Sequence, residues 1–475
     1  MDTLVFGTDG WRDIIGERFT FANVSRVAQA YAAYLRDAGT PSVAVGFDTR
    51  FNGALFARRV AEVLAANDVR VLLAEAYLPT PALSFAVKHL SLGGGVILTA
   101  SHNPPPYSGF KLKGPYGGTA TEDIYKDVSA RVTETGPGDA RVFDAKKHSI
   151  ETLDVRAAYY DALADLVDLD LLRTFSGTLL HDAMGGAGSG WLKGFADYAE
   201  LPLTLRELRG EPTPMFYGVN PEPLPQNLAV TMDYMREADA VFATATDGDA
   251  DRLGLVLPGG TFFNSHQILA VLLSSLYDKG QRGQVVKTFT TSRIIERLAE
   301  KRALAVLETP VGFKYIVDAV LSGDVLIGGE ESGGIGVQGH IPERDGLANT
   351  LLMLEAVVRS GKGVAEQFRD LEREADWQHA YDRLDLHLSG NALKDAVLGA
   401  LKNPPETFAG RAVESVETLD GVKFNLSGKA WLLFRASGTE PVLRIYCEGQ
   451  SEREVKEILG AAQALVAEIE ARSKE

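Results

Sequence analysis

The sequence predicts an α/β protein in which three similar α/β domains, each with a mixed and mostly parallel sheet, precede a smaller C-terminal α+β domain. The chain has 475 residues, too many for one hydrophobic core, and this length predicts about three or four domains. Short apolar runs alternate with segments of helical length, which is the pattern of βαβ units. From about Trp377 onward, strand-like runs are instead joined by short helices. We expect the four domains to span residues 1–147, 148–256, 257–372 and 373–475.

The composition is that of an ordinary globular protein, and it limits the classes of partner. Asp and Glu outnumber Lys and Arg by 64 to 48, so the net charge of −16 argues against nucleic acid or an anionic membrane as the main partner. The single cysteine, Cys447, lies in an apolar run, as expected for a core thiol in a reducing compartment. The N-terminal segment lacks the basic region of a signal peptide, and no apolar run reaches the roughly 18 residues of a membrane span. We therefore expect a cytoplasmic protein.

The first domain is predicted to alternate helices with parallel strands. The apolar spacing from Phe21 to Asp37 predicts a helix that ends before Gly39. The predicted elements that follow are a strand at Val43–Phe47, a helix at Leu55–Ala66, a strand at Val69–Leu73, a helix opened by Pro79–Pro81 and a strand at Val96–Leu98.

The alternation starts again near Ile150. A strand at Leu179–Ala183 leads into the glycine-rich turn Gly185–Gly190, which lacks the GKS/T ending and the G-x-G-x-x-G spacing of nucleotide-binding loops. A tight structural turn is therefore favoured over a phosphate loop. The segment Pro212–Pro225 contains five prolines and is predicted to be a rigid connection, followed by a strand at Ala240–Thr244.

The third unit and the C-terminal domain differ in their strand content. In the third unit we predict helices within Phe262–Tyr277 and at Ser292–Lys301 and Leu347–Arg359, with strands at Gly283–Lys287 and Val325–Ile327. In the C-terminal domain we predict strands at Tyr381–Leu388, Val413–Thr418, Trp431–Phe434 and Val442–Cys447. The last helix is predicted to begin at a capping box, Ser451 to Glu454.

A serine is predicted at the end of a strand in the stretch Gly95–Pro104. Val96–Leu98 reads as a buried strand, and the small residues and prolines after it prevent a regular continuation. This places Ser101 beside His102 and Asn103 at the strand end where ligands bind in open α/β sheets. Taken alone, the stretch is equally consistent with an ordinary turn.

Three carboxylates follow another predicted strand, in Asp247-Gly-Asp249-Ala-Asp251-Arg252. If the chain is extended, residues two apart point the same way, so the carboxylates would converge, and a cation between them would offset their repulsion. Oxygen ligands favour Mg²⁺ or Ca²⁺ over zinc. An EF-hand is excluded because Arg252 and Pro258 stand where it needs Gly and Glu. A solvated acidic turn is the alternative, although Arg252 favours a site because it could clamp a phosphoryl group.

Three further loops carry polar groups; the first and the last of them are also consistent with a plain turn, and the second is only suggestive as a lone motif. The loop Gly328–Gly334 presents Glu330 and Ser332, which suit the hydroxyls of a sugar. The loop Arg435–Pro441 offers an arginine, hydroxyls and backbone N–H groups freed by glycine, which together suit a phosphate. The loop Phe6–Arg12 ends in an arginine, and in isolation it reads best as a β-turn.

Taken together, these loops resemble those of the α-D-phosphohexomutase family, in the family's order and along the whole chain. The resemblance rests on Gly7-Thr-Asp-Gly-Trp-Arg12, Thr99-Ala-Ser-His-Asn-Pro104, Asp247-Gly-Asp-Ala-Asp-Arg252, Gly329-Glu-Glu-Ser-Gly333 and Arg435-Ala-Ser-Gly-Thr439. It implies four domains around a central cleft, each of which contributes one loop.

The resemblance also implies roles for individual residues. Ser101 would be the phosphorylated nucleophile, and one oxygen of its phosphate would bind Mg²⁺ together with the three carboxylates of Asp247, Asp249 and Asp251. The residues implied near the transferring phosphate, for proton transfer and charge stabilisation, are His102, Lys111 and Arg252. The residues implied to bind substrate are Arg12, Lys287, Lys314, Glu330, Ser332, Arg435, Ser437, Gly438 and Thr439.

The implied reaction passes a phosphoryl group from phosphorylated Ser101 to a hexose phosphate. The bound bisphosphate then turns round and returns its other phosphate to Ser101, with glucose 1,6-bisphosphate as the activator. Serine is a weak nucleophile, so a metal and cationic side chains must stabilise the charge on the transferring group. A closed cleft would protect the phosphoenzyme from water.

The loop Gly328–Gly334, which we call the sugar loop, indicates by its residues which hexose is bound. Relatives acting on glucosamine phosphate commonly carry Gly-Glu-Gln-Ser-Gly-His, and those of the phosphomannomutase/phosphoglucomutase type commonly carry Gly-Glu-Met-Ser-Gly-His. This chain has Glu331 and Gly334 instead and continues from His340 to Gly346. Because Glu-Glu-Ser is more like phosphoglucomutases, we expect glucose 1-phosphate and glucose 6-phosphate as substrates. Mannose phosphates are the second expectation, and glucosamine phosphates the third.

Two other classes of function use some of the same features. A serine hydrolase would also place a serine at a strand end, but Ser101 lacks the G-x-S-x-G elbow, and a hydrolase would not need three aspartates. A protein that binds sugar phosphates without turnover would need neither a nucleophile nor metal ligands. A serine-directed inhibitor that labels Ser101 would favour the hydrolase, and sugar-phosphate binding without turnover would favour the binding protein.

Overall fold

The computed structural model of the chain describes residues 4–7, 9–401, 404–436 and 442–472. These residues form two compact units, one made of Met1–Gln284 with Gly312–Glu366 and the other of Val285–Val311 with Gln367–Glu475. Across the described ranges, every helix is too short or too polar to cross a membrane.

The first sheet has seven strands, and one of them leads into the loop that carries Ser101, residues 99–106, which we call the serine loop. Its strands and helices are β1 (Trp11–Ile14), α1 (Phe21–Asp37), β2 (Ser42–Phe47), α2 (Gly53–Ala66), β3 (Arg70–Ala74), α3 (Thr80–His89), β4 (Gly94–Leu98), β5 (Tyr107–Gly114), β6 (Gly118–Thr119), α4 (Glu122–Glu134) and β7 (Glu151–Leu153). The order is β1-β5-β4-β2-β3-β7, with β6 beside β5. β4, β2, β3 and β7 are parallel, whereas β1, β5 and β6 are antiparallel to their neighbours.

The helices of this domain begin and end where local chemistry predicts. The hydroxyl of Thr20 accepts the N–H of Asn23 and caps α1, which ends before the left-handed Gly39. The apolar faces of α1, α2 and α4 share one core with β2 to β5. β2 and β4 are buried along nearly their whole length, as expected for central parallel strands.

The second sheet is mixed. One of its strands leads into the loop 247–252, which carries the three aspartates and which we call the acidic loop. The elements are α5 (Arg156–Leu166), α6 (Leu169–Leu172), β8 (Thr178–Asp182), α7 (Trp191–Tyr198), β9 (Thr204–Leu208), α8 (Ala229–Met235), β10 (Ala243–Thr246), β11 (Leu253–Leu257) and β12 (Thr261–Phe263). The order is β12-β11-β10-β8-β9. β10 begins later than predicted and runs on to Thr246, directly before the three carboxylates. The proline-rich connection forms only two short 3₁₀ turns, Phe216–Gly218 and Pro225–Asn227.

Residues 265–375 contribute to both compact units. Their elements are α9 (Ser265–Asp278), β13 (Gln284–Thr288), α10 (Arg293–Lys301), β14 (Val306–Thr309), α11 (Phe313–Ser322), β15 (Val325–Gly329), β16 (Ile335–Val337), α12 (Gly346–Ser360) and α13 (Val364–Ala375). In the first unit, β15 and β16 pair antiparallel and carry the sugar loop between them. In the second unit, β13 and β14 pair in parallel.

The C-terminal part is a six-stranded antiparallel sheet with helices. The elements are β17 (Ala380–His387), α14 (Asn391–Leu401), β18 (Thr407–Phe408), β19 (Arg411–Glu417), β20 (Val422–Leu426), β21 (Trp431–Ala436), β22 (Val442–Gly449) and α15 (Glu452–Arg472), and the strand order is β17-β22-β21-β20-β19-β18. Cys447 is a buried free thiol. The predicted capping box is only half formed: Ser451 accepts the N–H of Glu454, but the Glu454 carboxylate accepts the N–H of Gln450.

The predicted fold class is confirmed by this architecture. Helices alternate with parallel strands before the C-terminal sheet, and that sheet is antiparallel. The boundaries between the four domains stay predictions.

Candidate active site

Ser101 is held in an unusual backbone conformation just after β4. Its φ of 52° lies in the left-handed region, and the residue is only 1% exposed. Its N–H donates to the hydroxyl of Thr99 at 2.9 Å, and its own hydroxyl donates to Oδ2 of Asp247 at 2.7 Å. A non-glycine residue in this region costs about 1–3 kcal/mol, so the surroundings must impose the conformation. The predicted serine at the strand end is therefore buried, strained and aimed at the acidic loop.

The three carboxylates of the acidic loop converge, but not for the reason that we expected. One oxygen from each of Asp247, Asp249 and Asp251 lies within 4.8 Å of the others. The loop is not extended, because Ala250 is left-handed at φ 61° and Oδ1 of Asp247 accepts the N–H groups of Asp251 and Arg252. The carboxylates therefore converge without the extended conformation that we considered for this loop. A tight turn, closed by the first carboxylate of the motif, brings the three side chains together.

Glycines let the acidic loop approach the serine loop closely. A Cβ on Gly248 would lie 2.4 Å from the carbonyl oxygen of Ser101, which is impossible without movement of one of the two loops. A Cβ on Gly186 would in turn lie 2.8 Å from the carbonyl oxygen of Gly248. The turn Gly185–Gly190 therefore packs against the acidic loop, as the interpretation of a structural turn requires.

The oxygen donors suit a hard divalent cation. Within the part of the chain that the structure describes, Oδ1 of Asp249 and Oδ1 of Asp251 are buried without a hydrogen-bond donor. Burial, together with repulsion from Asp251 and Asp249, raises the pKa of Asp247 well above its usual value. A cation among the three carboxylates would satisfy the two oxygens and remove the cost of this repulsion. The residues present therefore fit Mg²⁺.

Lys111, on β5, lies beside the same carboxylates. Its Nζ is 2.8 Å from Oδ2 of Asp249, 3.0 Å from Oδ2 of Asp9 and 3.5 Å from Oδ2 of Asp251. Burial alone would lower the pKa of this amine, but the three carboxylates outweigh burial and raise it. Lys111 is therefore held as a cation, which suits charge stabilisation better than proton transfer.

Two arginines complete the cluster, and only one of them was predicted. The predicted Arg252 has its Nε 3.9 Å from Oδ2 of Asp247. Arg344 was missed, yet its Nη2 lies 2.8 Å from Oδ2 of Asp251 and 2.9 Å from Oδ2 of Asp9. Its Nη1 lies 3.9 Å from Oε2 of Glu330, so this guanidinium stands between the acidic loop and the sugar loop. The only signal in the sequence was its place in the charged segment shortly after the sugar loop.

The sugar loop lies against the acidic loop in the same unit. Residues 252 and 334 form an isolated antiparallel bridge, and the N–H of Leu253 donates to the carbonyl of Gly333 at 3.1 Å. Glu330 is buried, and Oε1 accepts the N–H of Gly312 at 3.0 Å. Burial raises the pKa of Glu330, although Arg344 acts in the opposite direction. Ser332 is partly exposed on the same loop.

Three further predicted residues belong to the first unit, and two of them, His102 and Arg12, contact residues of the serine loop. Nδ1 of His102 lies 3.4 Å from the Ser101 hydroxyl, a position suited to proton transfer. Arg12 donates to the side chain of Asn103 at 2.8 Å and so supports the serine loop. Lys314, on α11, pairs with Glu122 at 3.0 Å.

The predicted residues of the second unit are described separately. Lys287 is completely buried and pairs with Glu296 at 2.5 Å and with Glu308 at 2.6 Å. Arg435 pairs with Asp420 at 2.9 Å. The other three members of the predicted phosphate loop, Ser437, Gly438 and Thr439, lie outside the described residues.

Each of the four domain descriptions of one protein family matches a part of the chain. They are phosphoglucomutase/phosphomannomutase alpha/beta/alpha domain I over residues 3–138, domain II over residues 157–260, domain III over residues 264–374 and the C-terminal domain over residues 393–464.

Similar proteins match along almost the whole chain. A phosphoglucomutase/phosphomannomutase of Thermococcus kodakarensis is 30% identical, with 96% of each chain covered. A phosphoglucomutase of Komagataeibacter xylinus is 28% identical, over 99% of this chain and 92% of that one. A crystal structure of a candidate phosphomannomutase from Thermus thermophilus has 46% identity and a TM-score of 0.89, with 98% of this chain and 99% of that one covered. Other relatives are named as phosphoglucosamine mutases.

Proposed function

Because the chain belongs to the phosphoglucomutase/phosphomannomutase family of isomerases, it is an enzyme, and we propose that it interconverts glucose 1-phosphate and glucose 6-phosphate. The observation that carries the mechanism is the hydrogen bond of 2.7 Å from the Ser101 hydroxyl to Asp247, inside a cluster of three converging carboxylates. A nucleophile and a set of metal ligands in direct contact are what phosphoryl transfer through a phosphoserine requires.

In the proposed reaction, a sugar hydroxyl attacks the phosphorus carried by Ser101. The new bond from oxygen to phosphorus forms as the bond from phosphorus to the serine oxygen breaks. The sugar hydroxyl loses a proton and the serine oxygen gains one, and His102 is placed to move a proton at the serine oxygen. The second half repeats these steps in reverse from the other phosphate of the bound bisphosphate.

The cations of the cluster have a separate task in this proposal. Lys111 and Arg252 would balance the negative charge that spreads over the phosphoryl oxygens during transfer. Asp247, Asp249 and Asp251 would hold Mg²⁺, which when bound supplies Lewis-acid stabilisation of the transferring group. Burial of the cluster would exclude water, which protects the phosphoenzyme from hydrolysis.

The preference for glucose rests on the sugar loop. Glu330 and Ser332 would contact hydroxyls of the sugar, and the Glu-Glu-Ser sequence with Gly334 departs from the patterns expected for glucosamine and for dual-specificity relatives. Arg12, Lys287, Lys314 and the loop of Arg435, Ser437, Gly438 and Thr439 would bind the rest of the substrate. Mannose phosphates are the second candidate, because the Thermococcus kodakarensis relative carries both names.

The test compares initial rates on glucose 1-phosphate, mannose 1-phosphate and glucosamine 1-phosphate, with Mg²⁺ and catalytic glucose 1,6-bisphosphate. We expect glucose 1-phosphate to react fastest. Equal rates on glucose and mannose phosphates would make the enzyme dual-specific, and a preference for glucosamine would contradict our interpretation of the sugar loop. Turnover of none of the three would contradict the proposed reaction.

Two serine variants test the nucleophile. Ser101→Ala is expected to abolish both turnover and the gain of one phosphate mass on incubation with glucose 1,6-bisphosphate. Ser91→Ala is the matched control, because Ser91 has the same φ of 52° but is exposed and outside the cluster. A wild-type rate in Ser101→Ala would contradict the mechanism whichever sugar is preferred.

A further inference from the structure

We propose that Arg50 is a positioning residue that holds the backbone of the serine loop in the conformation in which Ser101 faces the acidic loop. Arg50 lies three residues after the end of β2, and its side chain is completely buried. It donates from Nη2 to the carbonyls of Ser101 and Asn103, both at 2.7 Å. It donates from Nη1 to the carbonyls of Pro104 and Tyr107, both at 2.9 Å.

The fifth N–H of the guanidinium connects Arg50, through two other side chains, to the backbone N–H of Ser101. Nε donates to Oδ2 of Asp48 at 3.2 Å, and the same oxygen accepts the hydroxyl of Thr99 at 2.6 Å. The Thr99 oxygen in turn accepts the N–H of Ser101. Both the N–H and the carbonyl of the left-handed Ser101 are therefore fixed by one network that begins at Arg50.

The shape of the guanidinium explains why an arginine is needed. Its five N–H groups have five acceptors, and four of these are carbonyls within the short segment 101–107. A lysine would carry the same charge but has only three donors at one point, so it could not serve four carbonyls that face a planar fork. Arg50 acts through the backbone of the nucleophile.

A second buried arginine shows what a purely structural clamp looks like. Arg26 is also buried, and it donates to the carbonyls of Thr135 and Val132 at the end of α4. Loss of Arg26 is expected to weaken the fold without an effect on Ser101. Loss of Arg50 is expected to release the nucleophile itself, because its four carbonyl acceptors all lie between Ser101 and Tyr107, three of them in the serine loop and one at the start of β5.

The inference rests on the proposed function, and its first test separates the turnover number from substrate binding. In Arg50→Lys and Arg50→Ala, kcat for the preferred hexose phosphate should fall about 100-fold, while KM stays within about threefold. Phosphorylation of Ser101 by glucose 1,6-bisphosphate should slow by a similar factor. Arg26→Ala, at equal folded fraction, should keep the wild-type kcat. A fall in kcat that is the same in the Arg50 and Arg26 variants would overturn the proposal.

Rescue by a small ion gives an independent readout. A cavity of about 340 Å³ is lined by Asp48, Thr49, Arg50 and Tyr77, so truncation of Arg50 leaves a path by which guanidinium can reach the vacated position. Guanidinium at non-denaturing concentration should restore kcat in Arg50→Ala and not in Ser101→Ala. If guanidinium failed to restore kcat, and amide hydrogen exchange in segment 99–107 of Arg50→Ala were also unchanged, positioning by Arg50 would be contradicted.

Hydrogen exchange tests the clamp without any turnover. In Arg50→Ala, and in Thr99→Val if the first variant folds poorly, amide exchange should accelerate in segment 99–107 and stay unchanged near residues 132–135. Arg26→Ala should show the reverse pattern. Wild-type exchange in segment 99–107 of both test variants would overturn the clamp even if the enzyme is an active mutase. Faster exchange there in a chain that turns over no hexose phosphate would refute the proposed function alone.

Discussion

Thr80 donates its hydroxyl to Oδ2 of Asp249 at 2.6 Å, and its backbone N–H donates to the carbonyl of Asp249 at 2.9 Å. These two bonds join the start of α3 to the middle of the acidic loop, across 169 positions of sequence. They use one carboxylate oxygen of Asp249 and orient the other, which is free of hydrogen bonds to the described residues. In the proposed function Asp249 would bind Mg²⁺, and a partner of this kind would orient it for that role.

We expect Thr80→Val to weaken metal binding about 10-fold or more, because the valine has the same shape but cannot orient Asp249. Half-saturating Mg²⁺ for turnover should rise by that factor, and Thr80→Ser should remain close to wild type. Thr133→Val is the control, since the hydroxyl of Thr133 donates to the carbonyl of Ser129 on the exposed surface of α4, away from the acidic loop. An unchanged Mg²⁺ requirement in Thr80→Val would contradict the role of Thr80.

We expect Arg344→Met to destabilise the fold by about 3 kcal/mol, because it removes the guanidinium that lies within 2.9 Å of the carboxylates of both Asp9 and Asp251 and leaves their buried charge less compensated. Arg344→Lys should fold better but lose kcat/KM, since one ammonium cannot bridge the acidic and sugar loops. Urea unfolding and steady-state kinetics measure the two effects. Arg70→Met removes only a solvent-exposed pair with Glu151 and should leave stability nearly unchanged. Equal losses in Arg344→Met and Arg70→Met would contradict this account.

The stability of the fold should fall with acid because of His181 on β8. This histidine is buried beside Thr244, and burial lowers its pKa from 6.5 to about 4, although Asp182 acts in the opposite direction. Between these two values the unfolded chain binds a proton that the folded chain does not, so stability falls as the pH drops from about 6.5 towards 4. The full loss from this group is about 3 kcal/mol.

Urea unfolding at about pH 7 and about pH 5 measures the part of this loss that falls between the two conditions, roughly 2 kcal/mol. In His181→Asn the difference between the two conditions should shrink, because the variant has no group to protonate at this position. The exposed His89→Asn should keep the wild-type difference. The prediction fails if His181→Asn loses as much stability with acid as the wild type.

The carboxylate of Glu448 in the C-terminal sheet should be costly to neutralise. This buried carboxylate accepts hydrogen bonds from the side chains of Trp377, Trp431, His379 and Ser292 and from the N–H of Arg293. Burial alone would raise the pKa of Glu448, but these donors hold it below its usual range. The stabilisation is therefore present above the ordinary pKa of a glutamate and is lost at lower pH.

We expect Glu448→Gln to destabilise the protein by about 3 kcal/mol, because an amide nitrogen would face donors that need an acceptor. Chemical denaturation measures the change. Glu468→Gln, which removes only an exposed pair with Arg472, should leave stability nearly unchanged. If Glu448→Gln left the free energy of unfolding unchanged, the donors around residue 448 would have found other acceptors, which would contradict this prediction.

Much of the fold could be predicted from local patterns. Apolar periodicity predicts α1 at Phe21–Asp37, and the small residues and prolines after β4 predict a serine at a strand end. The acidic motif predicts converging carboxylates, although the turn that brings them together depends on the left-handed Ala250. These features lie within a few residues of each other, so sequence spacing is enough to relate them.

The sequence by itself determined the classes of element, the serine loop and the three acidic residues, because each depends on neighbours along the chain. Only the tertiary structure decided which distant residues serve them. Arg344 meets Asp9 across 335 positions, and Thr80 meets Asp249 across 169. Such pairs carry no spacing signal, because the packing of separate sheets sets the distance between their side chains. Within the first sheet, the pairing of β2 with β4 likewise brings Arg50 to the serine loop, where its five donors have a use that its position in the sequence does not reveal.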